Sequence, residues 1–198
     1  SDEAKALGAV NTMTFRDDRI FGDNTDWIGF TWMIERQIGS VAGASVAQVG
    51  AGGAGSATAF ALGRMGVREL ALYDPSSERC EALVARLAPV FPECRFHVCD
   101  TAADAISGRQ GIVQSTPVGM AAHPGTPFPP ELMQDRQWLA DIIYFPRETA
   151  LLAAARARGI RAVNGVAMVI GQAAEAFRLF TGQEPDRERM LASLEDRD

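Results

Sequence analysis

Two periodicities alternate along this chain. Short runs at 45–50, 69–73, 94–98, 111–115, 138–143 and 160–163 have the length and bounding turn residues of strands. Several are separated by stretches with helical character, at 54–64, 77–88 and 148–157. Strands alternating with helices predict right-handed crossovers and an α/β fold whose mostly parallel sheet is covered on both faces.

The ends read differently. Runs at 10–15 and 19–22 predict two short strands joined through Arg16-Asp17-Asp18. A helix then fits 27–38, with Trp27, Phe30, Ile34 and Ile38 along one stripe, and small turn residues at 39–43 end it. Near the other end Val169, Gln172, Ala173, Ala176, Phe177 and Phe180 share a helical face, and a further helix is expected from 185 to about 194. The proline- and glycine-rich segment 116–130 reads as a functional loop at a strand end.

Composition narrows the classes. With 198 residues, 47% hydrophobic and 22% charged, the chain has the make-up of a globular protein with a sizeable core. Its net charge of −6 argues against nucleic acid as a partner. No apolar run approaches the roughly 20 residues that span a bilayer, so no membrane partner is expected. Cys80, Cys94 and Cys99 are odd in number and lack CxxC spacing, which predicts reduced thiols in a cytoplasmic protein. Only His97 and His123 are available as imidazole ligands, so no metal site is expected.

The chemistry concentrates at Gly50-Ala51-Gly52-Gly53-Ala54-Gly55, which joins a strand-like run to a helix-like one. In that order the first glycine permits a tight turn, the second admits a phosphate, and the third lets helix and strand pack closely. The free N–H groups of the following helix then face the phosphate. Asp74 ends the next strand, where an acidic side chain meets a ribose diol. Turn and acid together predict a Rossmann-like, doubly wound module that binds a dinucleotide, NAD before NADP. Asp74 could also serve only as a turn residue before Pro75.

Other polar residues have two readings each. Gln172 interrupts an apolar stripe, so its amide needs either a helix–helix hydrogen bond or a polyhydroxylated ligand. Asp26 is either the N-cap of the first helix or a carboxylate at the lip of a cleft. Asn11 pairs with backbone or meets a ligand, and Tyr144 lies at a strand's C-terminal end, where open α/β sheets place ligands. His97 reads as structural; Cys99 and His123 receive no role.

Six segments, in order from about residue 8 to 182, resemble the shikimate/quinate dehydrogenase family. They are Gly8-Ala9-Val10-Asn11-Thr12, Asn24-Thr25-Asp26-Trp27-Ile28-Gly29-Phe30, the glycine turn, Ser115-Thr116-Pro117-Val118-Gly119-Met120, Asp141-Ile142-Ile143-Tyr144-Phe145-Pro146 and Gly171-Gln172-Ala173-Ala174-Glu175-Ala176-Phe177. The resemblance implies an oxidoreductase interconverting shikimate or quinate with its 3-dehydro form, using NAD or NADP. It implies that Asn11, Asp26 and Gln172 touch substrate hydroxyls, with Asp26 the catalytic member. Tyr144 would lie near substrate and nicotinamide, Gly165 and Met168 would line the nicotinamide pocket, and Thr116 would border the cofactor. The implied domains are 1–24, the end of a substrate lobe; 25–44, a linking helix and turn; 45–164, the dinucleotide-binding domain; and 165–198, helices returning to the substrate lobe.

The departures from the family are specific. Its NADP-using members carry Asn-Arg-Thr where this chain has Asp74-Pro75-Ser76, so a carboxylate stands where a 2′-phosphate would bind and NAD is expected. Arg79 leaves a cation nearby; Gln114 replaces the usual Asn, and Asn164 the usual Asp. The family's Ser-x-Ser pair and catalytic lysine precede the Gly-Ala-Val-Asn-Thr segment, and Lys5 is too close to Gly8 to be that lysine. The chain alone is therefore expected to lack most of the first lobe and to bind NAD with little or no turnover. Two other readings are a non-catalytic dinucleotide-binding sensor and, more remotely, a methyltransferase binding S-adenosylmethionine. A homodimer is one assembly the chain could adopt.

Overall fold

The computed structural model describes residues 1–195. A short helix, α1 (Asp2–Leu7), leads into an antiparallel hairpin of β1 (Thr12–Arg16) and β2 (Arg19–Asp23), then α2 (Asp26–Gln37). The alternating region forms β3 (Ser45–Val49), α3 (Gly53–Arg64), β4 (Glu69–Tyr73), α4 (Ser77–Leu87), β5 (Arg95–Val98) and α5 (Ala102–Ile106). It continues through β6 (Gly111–Gln114), β7 (Trp138–Asp141), α6 (Ala150–Ala157) and β8 (Arg161–Val163). Helices α7 (Val166–Thr181) and α8 (Arg187–Glu195) follow.

The six strands from β3 onward pair in parallel in the order β5-β4-β3-β6-β7-β8. The chain winds outward from β3 on one side, then returns to begin the other half at β6. That reversal leaves a crevice at the carboxyl ends of β3 and β6, the place where doubly wound sheets bind ligands.

Side-chain alternation accounts for the layers. Val46, Leu70, Leu72, Val113 and Ala140 pack with Phe30, Phe60, Leu83 and Met168, from α2, α3, α4 and α7. Their neighbours Ala47, Val49, Ala71, Ile112 and Leu139 pack on the opposite face with Ile106, Leu151 and Leu152, from α5 and α6. Central β3 is buried at every position, whereas edge strand β5 has no buried residue.

The observed boundaries differ from the expected ones where side chains cap the backbone. Strand β7 ends at Asp141 and not at 143, because Asp141 Oδ1 accepts the N–H of Ile143 at 3.1 Å and turns the chain out of the ladder. Helix α6 starts after Thr149, whose hydroxyl accepts from Leu152 N at 3.1 Å. Two short helices, α1 and α5, were not expected; Ser1 and Thr101 cap them.

Helix α2 packs along the long α7, joining elements from near the two ends of the chain. Among the described residues the hairpin pairs with none of the six strands of the main sheet, and Met13, Phe15 and Ile20 on it are exposed. All three cysteines are free, and burial pushes the Cys80 and Cys94 thiols up to about 11, away from reactivity. Among the described residues no helix is long and apolar enough to cross a membrane, and no cluster of His, Cys, Asp or Glu has the make-up of a metal site.

Candidate functional site

The glycine turn has the conformation its sequence requires. Gly50 adopts φ +107°, which side-chain-bearing residues avoid. A Cβ on Gly55 would stand 2.4 Å from the Gly50 carbonyl oxygen, so only glycine allows α3 to start this close to β3. A Cβ on Gly52 or Gly53 would meet nothing within 4 Å. The turn is thus tight on its inner side and open on its outer side. Helix α3 begins there with Gly52 as its N-cap and no capping side chain, which leaves its first N–H groups for an anion.

Two cavities flank this turn. One, of about 340 Å³, is lined by Gly52, Gly53, Ala54, Met120, Ile143, Tyr144 and Phe145 among others and is largely apolar. The second, of about 460 Å³, is lined by Tyr73, Asp74, Ser76, Arg79 and Val118 among others. Thr116 and Pro117 line both and form the wall between them. A cradle of bare N–H groups between an apolar cavity and one that holds Asp74 fits a dinucleotide, with pyrophosphate at the turn.

Asp74 is fixed before any ligand arrives. Its Oδ2 accepts from Ala51 N at 2.9 Å and its Oδ1 from Ser76 N at 3.0 Å. Arg79 lies 3.9 Å away and is mostly solvent-exposed, a weak counter-charge. Asp74 thus makes the turn before Pro75 and also lines the second cavity.

The substrate candidates divide into two groups. Asn11 Oδ1 accepts from Thr25 N at 2.9 Å, which ties the hairpin to the start of α2. Asp26 is the first residue of α2 and does not act as its N-cap; Thr25 occupies that position, and Asn24 Oδ1 accepts the Asp26 N–H at 3.0 Å. The Asp26 carboxyl is half-buried and does not cap the helix. Burial raises its pKa, and a side-chain hydrogen bond with Asn11 partly opposes that rise. Gln172 is half-buried on α7, beside Gly29 on α2, and its side chain makes no helix–helix hydrogen bond among the described residues. Gly29 lies one helical turn after Asp26, so Asn11, Asp26 and Gln172 gather around one helix junction. Tyr144 stands apart from them, half-exposed, in the apolar cavity.

Gly165 and Met168 do not line either cavity. A Cβ on Gly165 would fall 1.9 Å from the Ile142 carbonyl oxygen, so that glycine seats α7 behind the cavity wall. Met168 is buried in the core beneath it. His97 pairs with Glu69 at 3.2 Å, at the opposite end of the strands, in keeping with a structural role. Asn164 bridges Arg147 O and Val166 N just before α7.

Three buried polar residues build the cleft, of which the sequence singles out only Gln114, as a departure from the family's Asn. Gln114 donates from Nε2 to the carbonyls of Thr116 and Val118, both at 3.0 Å, and accepts Thr116 N at 2.6 Å. The wall between the cavities is wrapped around this one amide. Ser115 Oγ lies 2.9 Å from the Gly50 carbonyl, and Gln48 reaches the same carbonyl from the adjacent strand. A glutamine inside an otherwise apolar strand run was the available signal for Gln48. Behind the wall, Asp141 is fully buried, accepts from Thr149 Oγ1 at 2.7 Å, and has its pKa raised to about 6 by burial.

Comparison with known proteins agrees with this geometry. Residues 165–195 match the family model of the shikimate 5'-dehydrogenase C-terminal domain. A shikimate dehydrogenase (NADP(+)) of Arthrobacter sp. (strain FB24) is 46% identical over 96% of this chain and 66% of its own length. A quinate/shikimate dehydrogenase (NAD(+)) of Corynebacterium efficiens is 42% identical over 98% of this chain and 69% of its own. Quinate dehydrogenase from Corynebacterium glutamicum, solved in complex with NAD, superposes with a TM-score of 0.90 at 40% identity, covering 99% of this chain and 71% of that one. The chain thus spans about two thirds of the length of these relatives. Identity at this level over nearly the whole chain, with the same fold, shows that it belongs to the shikimate/quinate dehydrogenase family.

Proposed function

We propose that this chain supplies the cofactor cleft and part of the substrate site of an oxidoreductase that interconverts shikimate or quinate with the 3-dehydro acid, using NAD in preference to NADP. The observation that carries this reading is the open glycine turn set between an apolar cavity and one that holds Asp74. A fixed carboxylate there favours a ribose diol and repels a 2′-phosphate dianion. The relatives' names include both NAD(+) and NADP(+), so the choice rests on Asp74.

NAD, when bound, supplies the hydride acceptor for the carbinol carbon. The chain's residues do the rest. The N–H groups of Gly53 and Ala54 hold the pyrophosphate, with Thr116 bordering the cofactor. Ile143, Tyr144 and Met120 exclude water from the ring, while Gly165 and Met168 support that wall from behind. Asn11 and Gln172 bind substrate hydroxyls, and Asp26, its pKa raised by burial, exchanges the hydroxyl proton. A half-buried carboxyl hydrogen-bonded with Asn11, with Gln172 on the helix packed against its own, favours this over a purely cofactor-sensing module.

In this reading 45–164 is the dinucleotide-binding domain, 25–44 links it to a substrate lobe that includes 1–24, and 165–198 returns to that lobe; of these residues, 196–198 lie outside the described structure. Three free cysteines fit a cytoplasmic setting. A homodimer would cover the exposed apolar hairpin, and sedimentation would reveal it. The function itself is tested by supplying the natural-length protein with shikimate or quinate and either cofactor. Reduction of NAD is expected with at least one acid; no reduction of either cofactor with either acid would overturn the proposal.

A further inference from the structure

Gln48 sits in the central strand with no exposed surface, where an unbonded amide would be costly. Every polar atom of its side chain is engaged. Nε2 donates to the Gly50 carbonyl at 2.9 Å and to the Gly55 carbonyl at 2.8 Å. Oε1 accepts the hydroxyl of Thr58, itself fully buried on α3, at 2.8 Å. The acceptor side of the amide is thereby taken, which orients its two donors toward the turn. Gly50 and Gly55 are the first and last glycines of that turn, so one side chain clamps both of its ends.

The clamp sets which edge of the turn faces the cleft. The Gly50 carbonyl is held inward from two strands, by Gln48 and by Ser115 Oγ at 2.9 Å. The Ala51 N–H is held by Asp74. What remains on the cavity side is the backbone of Gly52, Gly53 and Ala54. An anion site made of backbone N–H groups works only when those dipoles are already aimed, because re-aiming them on binding costs affinity.

We propose that Gln48 is a positioning residue for the phosphate-binding turn, holding the carbonyls of Gly50 and Gly55 inward so that the N–H groups between them face a pyrophosphate. This rests on the nucleotide-binding reading above and adds to it a residue that never touches the ligand. The unbranched Gln48→Met keeps the length of the side chain and removes its hydrogen bonds; Thr58→Val, a second and milder variant, removes the hydroxyl that pins Oε1 and that also lies 3.1 Å from the Gly55 carbonyl.

The experiment has two arms. In nucleotide-free protein, amide hydrogen exchange at Gly50 and Ala51, whose N–H groups bond the Tyr73 carbonyl and Asp74, should rise about tenfold in Gln48→Met as the released turn opens, while β4 and β7 stay protected. In titrations, affinity for ADP should fall about tenfold while affinity for adenosine, which lacks phosphate, holds. Thr58→Val should shift both readouts in the same direction by less, and it carries the test if Gln48→Met does not fold. Unchanged exchange at Gly50 and Ala51, or equal losses for ADP and adenosine, would overturn the proposal. A parent protein that binds neither ADP nor NAD would instead refute the nucleotide reading, with the exchange arm still deciding whether Gln48 holds the turn.

Discussion

Gly29 and Gly171 bring α2 and α7 together so closely that a Cβ on Gly171 would stand 2.7 Å from the Cα of Gly29. A Cβ on Gly29 would meet the Met168 carbonyl oxygen at 2.3 Å and the Gln172 nitrogen at 2.7 Å. Both obstacles are backbone, which cannot rotate aside. The contact places Asp26 and Gln172, from opposite ends of the chain, at one junction.

Alanine at position 29 should therefore destabilise the protein despite its better helix propensity. Overpacking typically costs ~1–3 kcal/mol, and the propensity gain returns about 1 kcal/mol at most. A lowered urea midpoint for Gly29→Ala is expected; a raised one would show that the helices separate freely.

Asp141 predicts a pH dependence of stability. Its pKa is raised from 3.8 to about 6 in the folded state, chiefly by burial. Between those values the folded state binds the extra proton, so this group's contribution falls as pH rises through the window, by up to about 3 kcal/mol. The parent should gain stability relative to Asp141→Asn as pH is lowered from 7 to 4. Urea unfolding at several pH values measures it; a difference independent of pH would exclude this role.

Asp26 predicts a kinetic loss. Removing a general acid–base typically lowers turnover by about 10²–10⁴-fold. Asp26→Asn in the natural-length protein should lower kcat within that range and leave NAD affinity unchanged, since Asp26 lines neither flanking cavity. Unchanged kcat would remove Asp26 from the chemistry.

Asp74 predicts a change of preference. Asp74→Asn removes the charge while keeping an oxygen for one of the two backbone N–H groups it now serves. The ratio of NADP to NAD affinity should rise about tenfold, equivalent to ~1.4 kcal/mol. Equal losses for the two cofactors would mean that Asp74 acts only on the turn.

Much of this was legible because alternation between periods is a strong signal. The strand at 69–73 coincides with β4, and the glycine turn falls between β3 and α3 as its spacing demands. The short helices α1 and α5 escaped notice because six and five residues are too few to show a stripe; their caps at Ser1 and Thr101 were the only cues. Asp26 was read as a cap on spacing, while the structure gives that backbone work to Asn24 and turns the carboxyl to Asn11. Gln48 and Ser115 were missed for a different reason. Their partners are backbone carbonyls of Gly50 and Gly55, and a sequence does not show which way a peptide plane turns.

The most direct test of the account is a calorimetric titration of NAD and NADP into the protein. It predicts one NAD per chain, bound about tenfold or more tighter than NADP. Equal or tighter binding of NADP, or no binding of either, would contradict it.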